Sequence, residues 1–146
     1  MRIMTLKYGK GNDFFLPGRN FTFVASAREV SDMIDREQFR EQFQYYDEDV
    51  IVEVIGLFLS DYVARLGALR ESLVNGDLET MVLQAHSLKG LAGTFAAPGP
   101  QAMAGEIEEM GKRGQTEGLD DLFLRLESSM HELARDLETI RAGMAP

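Results

Sequence analysis

Asn75-Gly76-Asp77 is the feature that most limits how this chain can fold, because it interrupts two long apolar stripes for only three residues. Before it, Ile51, Val54, Ile55, Phe58, Tyr62, Leu66, Leu69 and Leu73 recur every three or four positions, and after it Leu78, Met81, Val82, Ala85, Leu88, Ala92 and Phe95 do the same. That period marks helices with one apolar face each. Glycine supplies a C-terminal stop and the aspartate a new N-cap, so a turn this short makes the two helices antiparallel neighbours. The second of them is expected from about Asp77 to Ala97.

The pattern continues to the end of the chain. Pro98-Gly99-Pro100 breaks it, and a shorter helix from about Pro100 to Lys112 turns Met103, Ile107 and Met110 inward, with Pro100 suited to a first helical position. Gly111 and Gly114 to Gly118 mark a loop. Leu119, Leu122, Leu126, Met130, Leu133, Leu137 and Ile140 then form the cleanest stripe of all. Upstream, Met33, Ile34, Phe39 and Phe43 suggest a short helix from about Asp35 to Tyr46, and Asp47-Glu48-Asp49 places carboxylates at the positive end of the next helix. The expected fold is all-α: an antiparallel up-down four-helix bundle over residues 31–146, with a short leading helix.

Residues 1–30 read differently. Residues 1–28 carry Arg2, Lys7, Lys10, Arg19 and Arg28 against Asp13 alone, so this part is about +4 in a chain of net charge -9, and the remainder is about -13. Arg2 to Tyr8 and Phe21 to Ala25 are short β-prone stretches separated by turn formers. They suggest an N-terminal arm, a small hairpin or an extended segment, the alternatives being a poorly ordered tail or an expression remnant.

Composition excludes several function classes. With no cysteine there is neither a disulfide framework nor a thiolate metal site. No signal-peptide order opens the chain, and no run approaches the roughly 18 apolar residues of a membrane span. The expectation is a soluble cytoplasmic protein, a monomer, without a membrane role. The negative charge argues against a nucleic-acid partner.

Chemistry concentrates at Ala85-His86-Ser87-Leu88-Lys89-Gly90. Around this helix His86, Lys89, Gly90, Gly93 and Ala97 share a flank, so an imidazole and an ammonium stand beside a strip with almost no side chains. Two helix glycines each cost about 1 kcal/mol against alanine, which suggests that another surface approaches there. Imidazole is a nucleophile at neutral pH and can hold a phosphoryl group on nitrogen. A lysine one turn along can pair with phosphoryl oxygens, and Gly90 removes a side chain that would block a donor. Gln84, Ser87 and Gly93 are further candidates for the rim of such a docking surface. No Asp/Glu cluster, Walker loop or Gly-rich nucleotide loop accompanies His86, so no means of holding Mg²⁺ or ATP is evident; no catalytic or metal-ligating residue is assigned.

These residues make the chain similar to the histidine-containing phosphotransfer (HPt) domain family. Its pattern is a histidine, any residue, then Leu-Lys-Gly, with a small residue about ten positions after the histidine and Leu-Glu about twenty-one after it. Here the counterparts are Ala85-His86-Ser87-Leu88-Lys89-Gly90, Phe95-Ala96-Ala97 and Ile107-Glu108, within a match that covers roughly residues 31–142. Ala96 stands where glycine is usual, and Pro98-Gly99-Pro100 replaces a continuous or gently broken helix. The resemblance implies a phosphorelay protein that is no enzyme in its own right. It accepts a phosphoryl group on His86 from a receiver aspartate or a histidine or hybrid kinase and passes it to a response-regulator receiver. Lys89 would steady the charge and Gly90 keep the approach open. It implies no cofactor on this chain, with Mg²⁺ on the partner receiver.

Three other readings exist. An interaction-only bundle would bind receivers without phosphotransfer, which the His86-Lys89-Gly90 set argues against. His131-Glu132-Leu133 resembles the opening of a sensor-kinase phosphoacceptor box, but Ala134-Arg135-Asp136 departs from it, and His131 reads instead as a solvated position beside core residues. A metal-dependent bundle enzyme needs Glu-x-x-His pairs, and Leu83 and Ser128 stand where those carboxylates would be.

Overall fold

The computed structural model describes residues 32–144. Among them are five helices and no strand: α1 (Arg36–Phe43), α2 (Glu48–Asn75), α3 (Leu78–Thr94), α4 (Pro98–Arg113) and α5 (Leu119–Met144). The expected arm at residues 1–30 lies outside the described residues.

Helices α2 to α5 each pack on their neighbours in the chain, and α5 closes on α2, so the four form an up-down bundle. The stripes read from the sequence point inward: Ile51, Ile55, Phe58, Leu66 and Leu69 from α2, Met81, Ala85, Leu88 and Ala92 from α3, Ala104 and Ile107 from α4, and Leu126, Met130, Leu133, Leu137 and Ile140 from α5 are all buried. Each large aliphatic or aromatic side chain so buried contributes about 1.5–3 kcal/mol of transfer free energy, before conformational entropy is set against it. The α2–α3 turn forms as expected. Gly76 adopts the left-handed conformation at φ 69°, and Asp77 caps α3 by accepting from the Thr80 amide at 3.2 Å.

The α3–α4 connection differs from the expectation. Helix α3 stops at Thr94 rather than about Ala97, and Pro98-Gly99-Pro100 is the first turn of α4, not a break before it. The physical reason is that a proline in the first helical turn loses no hydrogen bond, since those amides have no intrahelical acceptor. The real stop lies earlier. Ala96 takes φ 59°, its amide donates to Gly93 O at 3.1 Å and the Ala97 amide donates to Ala92 O at 2.9 Å, so the last carbonyls of α3 are satisfied by a left-handed cap. A glycine would hold that conformation without strain; alanine carries a cost of roughly 1–2 kcal/mol.

Helix α1 closes this end. The Asp35 amide donates to Ala96 O at 2.7 Å, and the Gln42 side-chain amide donates to Gly93 O and Thr94 O at 2.9 and 2.8 Å. Phe43 stacks on Phe95, which meets Phe58 edge-on, with ring centroids 5.9 and 5.3 Å apart. The leading helix therefore fixes where α3 ends and α4 begins, and with it the spacing of the two helices that carry the candidate site.

Gly111 also departs from its expected place in a loop. It is a buried residue of α4, and a Cβ on it would stand 2.7 Å from Val82 Cγ2 and 2.8 Å from Met81 Cε. Helices α3 and α4 approach closely because this position has no side chain.

Candidate functional site

His86 follows Ala85, which is fully buried, by a turn of about 100° around α3. Its ring therefore emerges at the flank nearest α4 and keeps 67% of its side-chain area exposed. Opposite it, α4 turns Ala104, Ile107, Glu108 and Gly111 toward the bundle. Glu108 follows the inward Ile107 by one residue, and its carboxylate is only 5% exposed, beneath the His86 ring.

One carboxylate thus collects three donors. Glu108 Oε2 lies 2.9 Å from His86 Nδ1 and 3.4 Å from Lys112 Nζ, while Oε1 lies 2.8 Å from Lys89 Nζ. The hydrogen bond from Lys89 is the main influence that holds the Glu108 carboxyl down at about 2, with His86 and Lys112 adding to it against the opposing effect of burial. Glu108 is therefore ionised at neutral pH and can only accept. It follows that His86 Nδ1 carries the hydrogen, and in the neutral ring the lone pair resides on Nε2, the nitrogen not engaged by the carboxylate. The stem of Lys89 runs over Gly105, where a Cβ would sit 3.3 Å from Lys89 Cδ.

The remaining candidates separate into two groups. Gly90 is exposed, with nothing within 4 Å of where a Cβ would be, and Ser87 is half-buried on the outer side of the same helix. Gly93 is not bare: the Gln101 side chain of α4 lies over it, with Nε2 2.8 Å from a would-be Cβ. Ala97, expected on the same strip, is buried in the α3–α4 turn. Gln84 falls on the opposite flank, two residues and about 200° from His86. That flank is the one from which Leu91 faces Val54, Leu57 and Phe58 of α2. The structure therefore brings His86, Lys89 and Gly90 to one open patch, and Gln84 does not share it.

The sequence names Glu108 only as the second member of the Ile107-Glu108 pair, with no role at the site, and does not single out Lys112 at all. The signals that could have found them are an acidic residue one position from the inward Ile107, and a lysine four residues after it on the same helix face. His131 is likewise not a solvated position. It is half-buried between α2 and α5, where its Nδ1 shares a hydrogen bond of 2.8 Å with the Tyr62 hydroxyl and its ring meets the Tyr62 ring edge-on.

Among the described residues, no group of three or more His, Cys, Asp or Glu side chains could hold a metal ion, and no helix is long and apolar enough to cross a membrane.

Against known proteins, the sequence pattern of the Hpt domain matches residues 53–143, well over half of the chain. Among solved structures, the crystal structure of histidine-containing phosphotransfer protein B (HptB) from Pseudomonas aeruginosa PAO1 superposes with a TM-score of 0.72 at 22% identity. That superposition covers 77% of this chain and 97% of that one. No curated protein matches the chain.

Proposed function

This chain belongs to the Hpt domain family, and we propose that His86 is the residue on which it carries a phosphoryl group between the members of a phosphorelay. The observation that supports His86 is its exposed ring, gripped at Nδ1 by a buried, ionised carboxylate, which leaves Nε2 as the nitrogen that carries the lone pair.

The chemistry follows from that arrangement. Nε2 attacks the phosphorus of a receiver's aspartyl phosphate; the N–P bond forms as the P–O bond to the aspartate breaks, and the aspartate departs as a carboxylate. No proton has to leave the ring, because Nδ1 retains its hydrogen and the product is a cationic phosphoimidazole. Glu108 faces that new positive charge, stabilising the state into which the ring is driven. Return of the phosphoryl group to a second receiver is the same step reversed. Lys89 turns part of its charge from Glu108 to the phosphoryl oxygens, and Gly90 leaves room for the receiver's loops.

On this reading the chain contributes a positioned nucleophile and no further catalytic machinery, while Mg²⁺ and the acidic residues around it belong to the receiver. A histidine or hybrid kinase and a response-regulator receiver are the partners, and the protein works as a cytoplasmic monomer. The deciding measurement is incubation with phosphorylated receivers, scoring acid-labile, alkali-stable label. Wild type is expected to take label and His86→Gln to take none at unchanged helical content. Label persisting on His86→Gln would defeat the assignment. Receiver binding by wild type with no label transferred would mark an interaction-only bundle.

A further inference from the structure

Lys112 stands outside the His86-Lys89-Gly90 set, yet its ammonium shares an oxygen with the acceptor ring. The described residues contain two lysines, Lys89 and Lys112, on different helices, and both reach the carboxylate of Glu108. All other basic side chains of that region, histidines aside, are arginines. Their contacts are unequal. Lys89 is 2.8 Å from Oε1 and 37% exposed, whereas Lys112 is 3.4 Å from Oε2, 3.7 Å from Glu109 Oε2, and 52% exposed. Lys112 is the more loosely held of the two.

We infer that Lys112 is a second phosphoryl-contacting residue, reaching over from α4 so that the group on His86 is held between two lysines of adjoining helices. The inference rests on His86 being the acceptor. Its basis is a charge exchange at one atom. In the form able to attack, with a lone pair on Nε2, the ring is uncharged and Glu108 Oε2 faces its Nδ1–H and the Lys112 ammonium. Once Nε2 is phosphorylated the ring itself is cationic, and its Nδ1–H supplies the positive charge that Oε2 formerly took from Lys112. At the same moment a dianion appears on the far side of the ring. A lysine whose service at the carboxylate has become redundant, half-exposed and on a flexible stem, swings to the new anion. Its position near the C-terminal end of α4 accounts for a basic residue there, since cations suit that end of the helix dipole. Its place four residues after Glu108 on the same helix accounts for the contact, and the oxygen shared with His86 is what couples this lysine to the acceptor ring.

Potassium phosphoramidate tests this without a partner protein: ammonia leaves with the electrons of the P–N bond as the bond from His86 Nε2 to phosphorus forms. The readouts are the lifetime of the phosphohistidine and the side-chain NH₃⁺ signals of ¹⁵N-lysine-labelled protein. Lys112→Gln is expected to shorten the lifetime roughly three- to tenfold, the range for one charge-assisted contact discounted for solvent. Lys112→Arg should restore it to within about twofold, because an arginine can make the same contact. In wild type the Lys112 signal moves on phosphorylation together with that of Lys89. A lifetime in Lys112→Gln equal to wild type, or a Lys112 signal that stays put while His86 is labelled, would overturn the inference and leave the acceptor assignment standing. A wild-type chain that takes no label would overturn both.

Discussion

Glu108 makes a prediction with a definite sign in pH. Its carboxyl is held down at about 2 by the hydrogen bond from Lys89 first and by His86 and Lys112 after it, whereas in the unfolded chain it titrates near 4.3. A depressed carboxyl contributes stability that is fully present above the unfolded value and is lost as pH falls toward the folded one. Glu108→Gln is therefore expected to lower unfolding free energy by about 1–3 kcal/mol at pH 6–7. Most of that difference should vanish between pH 4.5 and 2. Denaturant titrations of both proteins at pH 6.5 and 2.5 would check it, and a gap of equal size at both values would show that the ion pairs do not stabilise the fold. Gly90 makes the opposite kind of test, because its would-be Cβ meets nothing. Gly90→Gln should hold or raise the melting temperature, glutamine being the better helix former by roughly 0.5–1 kcal/mol, while weakening receiver binding and transfer. A marked loss of melting temperature would mean that the patch is packed rather than open. The local part of this site was legible because His86, Lys89 and Gly90 lie within one and a half helical turns. Glu108 was not, because its burial and its three donors arise only when α4 is laid against α3.

Between elements, the α3–α4 contact sets the distance from His86 to Glu108, and Gly111 is the position where it has least slack. A methyl group there must displace the branched Val82 side chain and the end of Met81. Gly111→Ala gains up to about 1 kcal/mol in helix propensity and loses about 1–3 kcal/mol to overpacking. The expected net is a destabilisation of about 1 kcal/mol, with slower phosphorylation of His86 as the ring and its carboxylate are pushed apart. Thermal melts and phosphoramidate labelling would read the two effects, and an unchanged labelling rate would show that the pair tolerates the shift. Helix spacing in the sequence located the five helices of the described residues, yet ran α3 on to Ala97 and assigned Gly111 to a loop and Pro98 to a break. Glycine and proline carry different meanings inside an interface and at a helix start than in a turn, and single-chain spacing cannot tell which applies until the neighbouring helix is in place.

At the scale of the molecule, the bundle is closed by the seam between α2 and α5, where Tyr62 with His131 is a polar fastening less exposed than the Arg70–Glu127 ion pair of the same seam. Tyr62 is 8% exposed, so its hydroxyl without His131 would be left short of a partner. His131→Ala is expected to cost about 1–2 kcal/mol by denaturant unfolding while leaving phosphoryl labelling at the wild-type level. Reduced labelling would tie the seam to the acceptor. The four-helix architecture was legible from stripe lengths and one short turn, but the role of His131 was not, since its partner lies 69 positions away. The imidazole, the carboxylate and the two ammonium groups of the cluster all come from α3 and α4, and the two longest helices, α2 with 28 residues and α5 with 26, provide none of them. Apart from the polar pairs of their seam, what those two helices must supply is an apolar stripe of suitable volume facing inward, and many sequences meet that demand. Very different sequences can thus build a superposable bundle, as the 22% identity and TM-score of 0.72 with the Pseudomonas protein illustrate. The bundle therefore constrains these two helices by the volume they bury, whereas the cluster constrains α3 and α4 by which atoms they bring together.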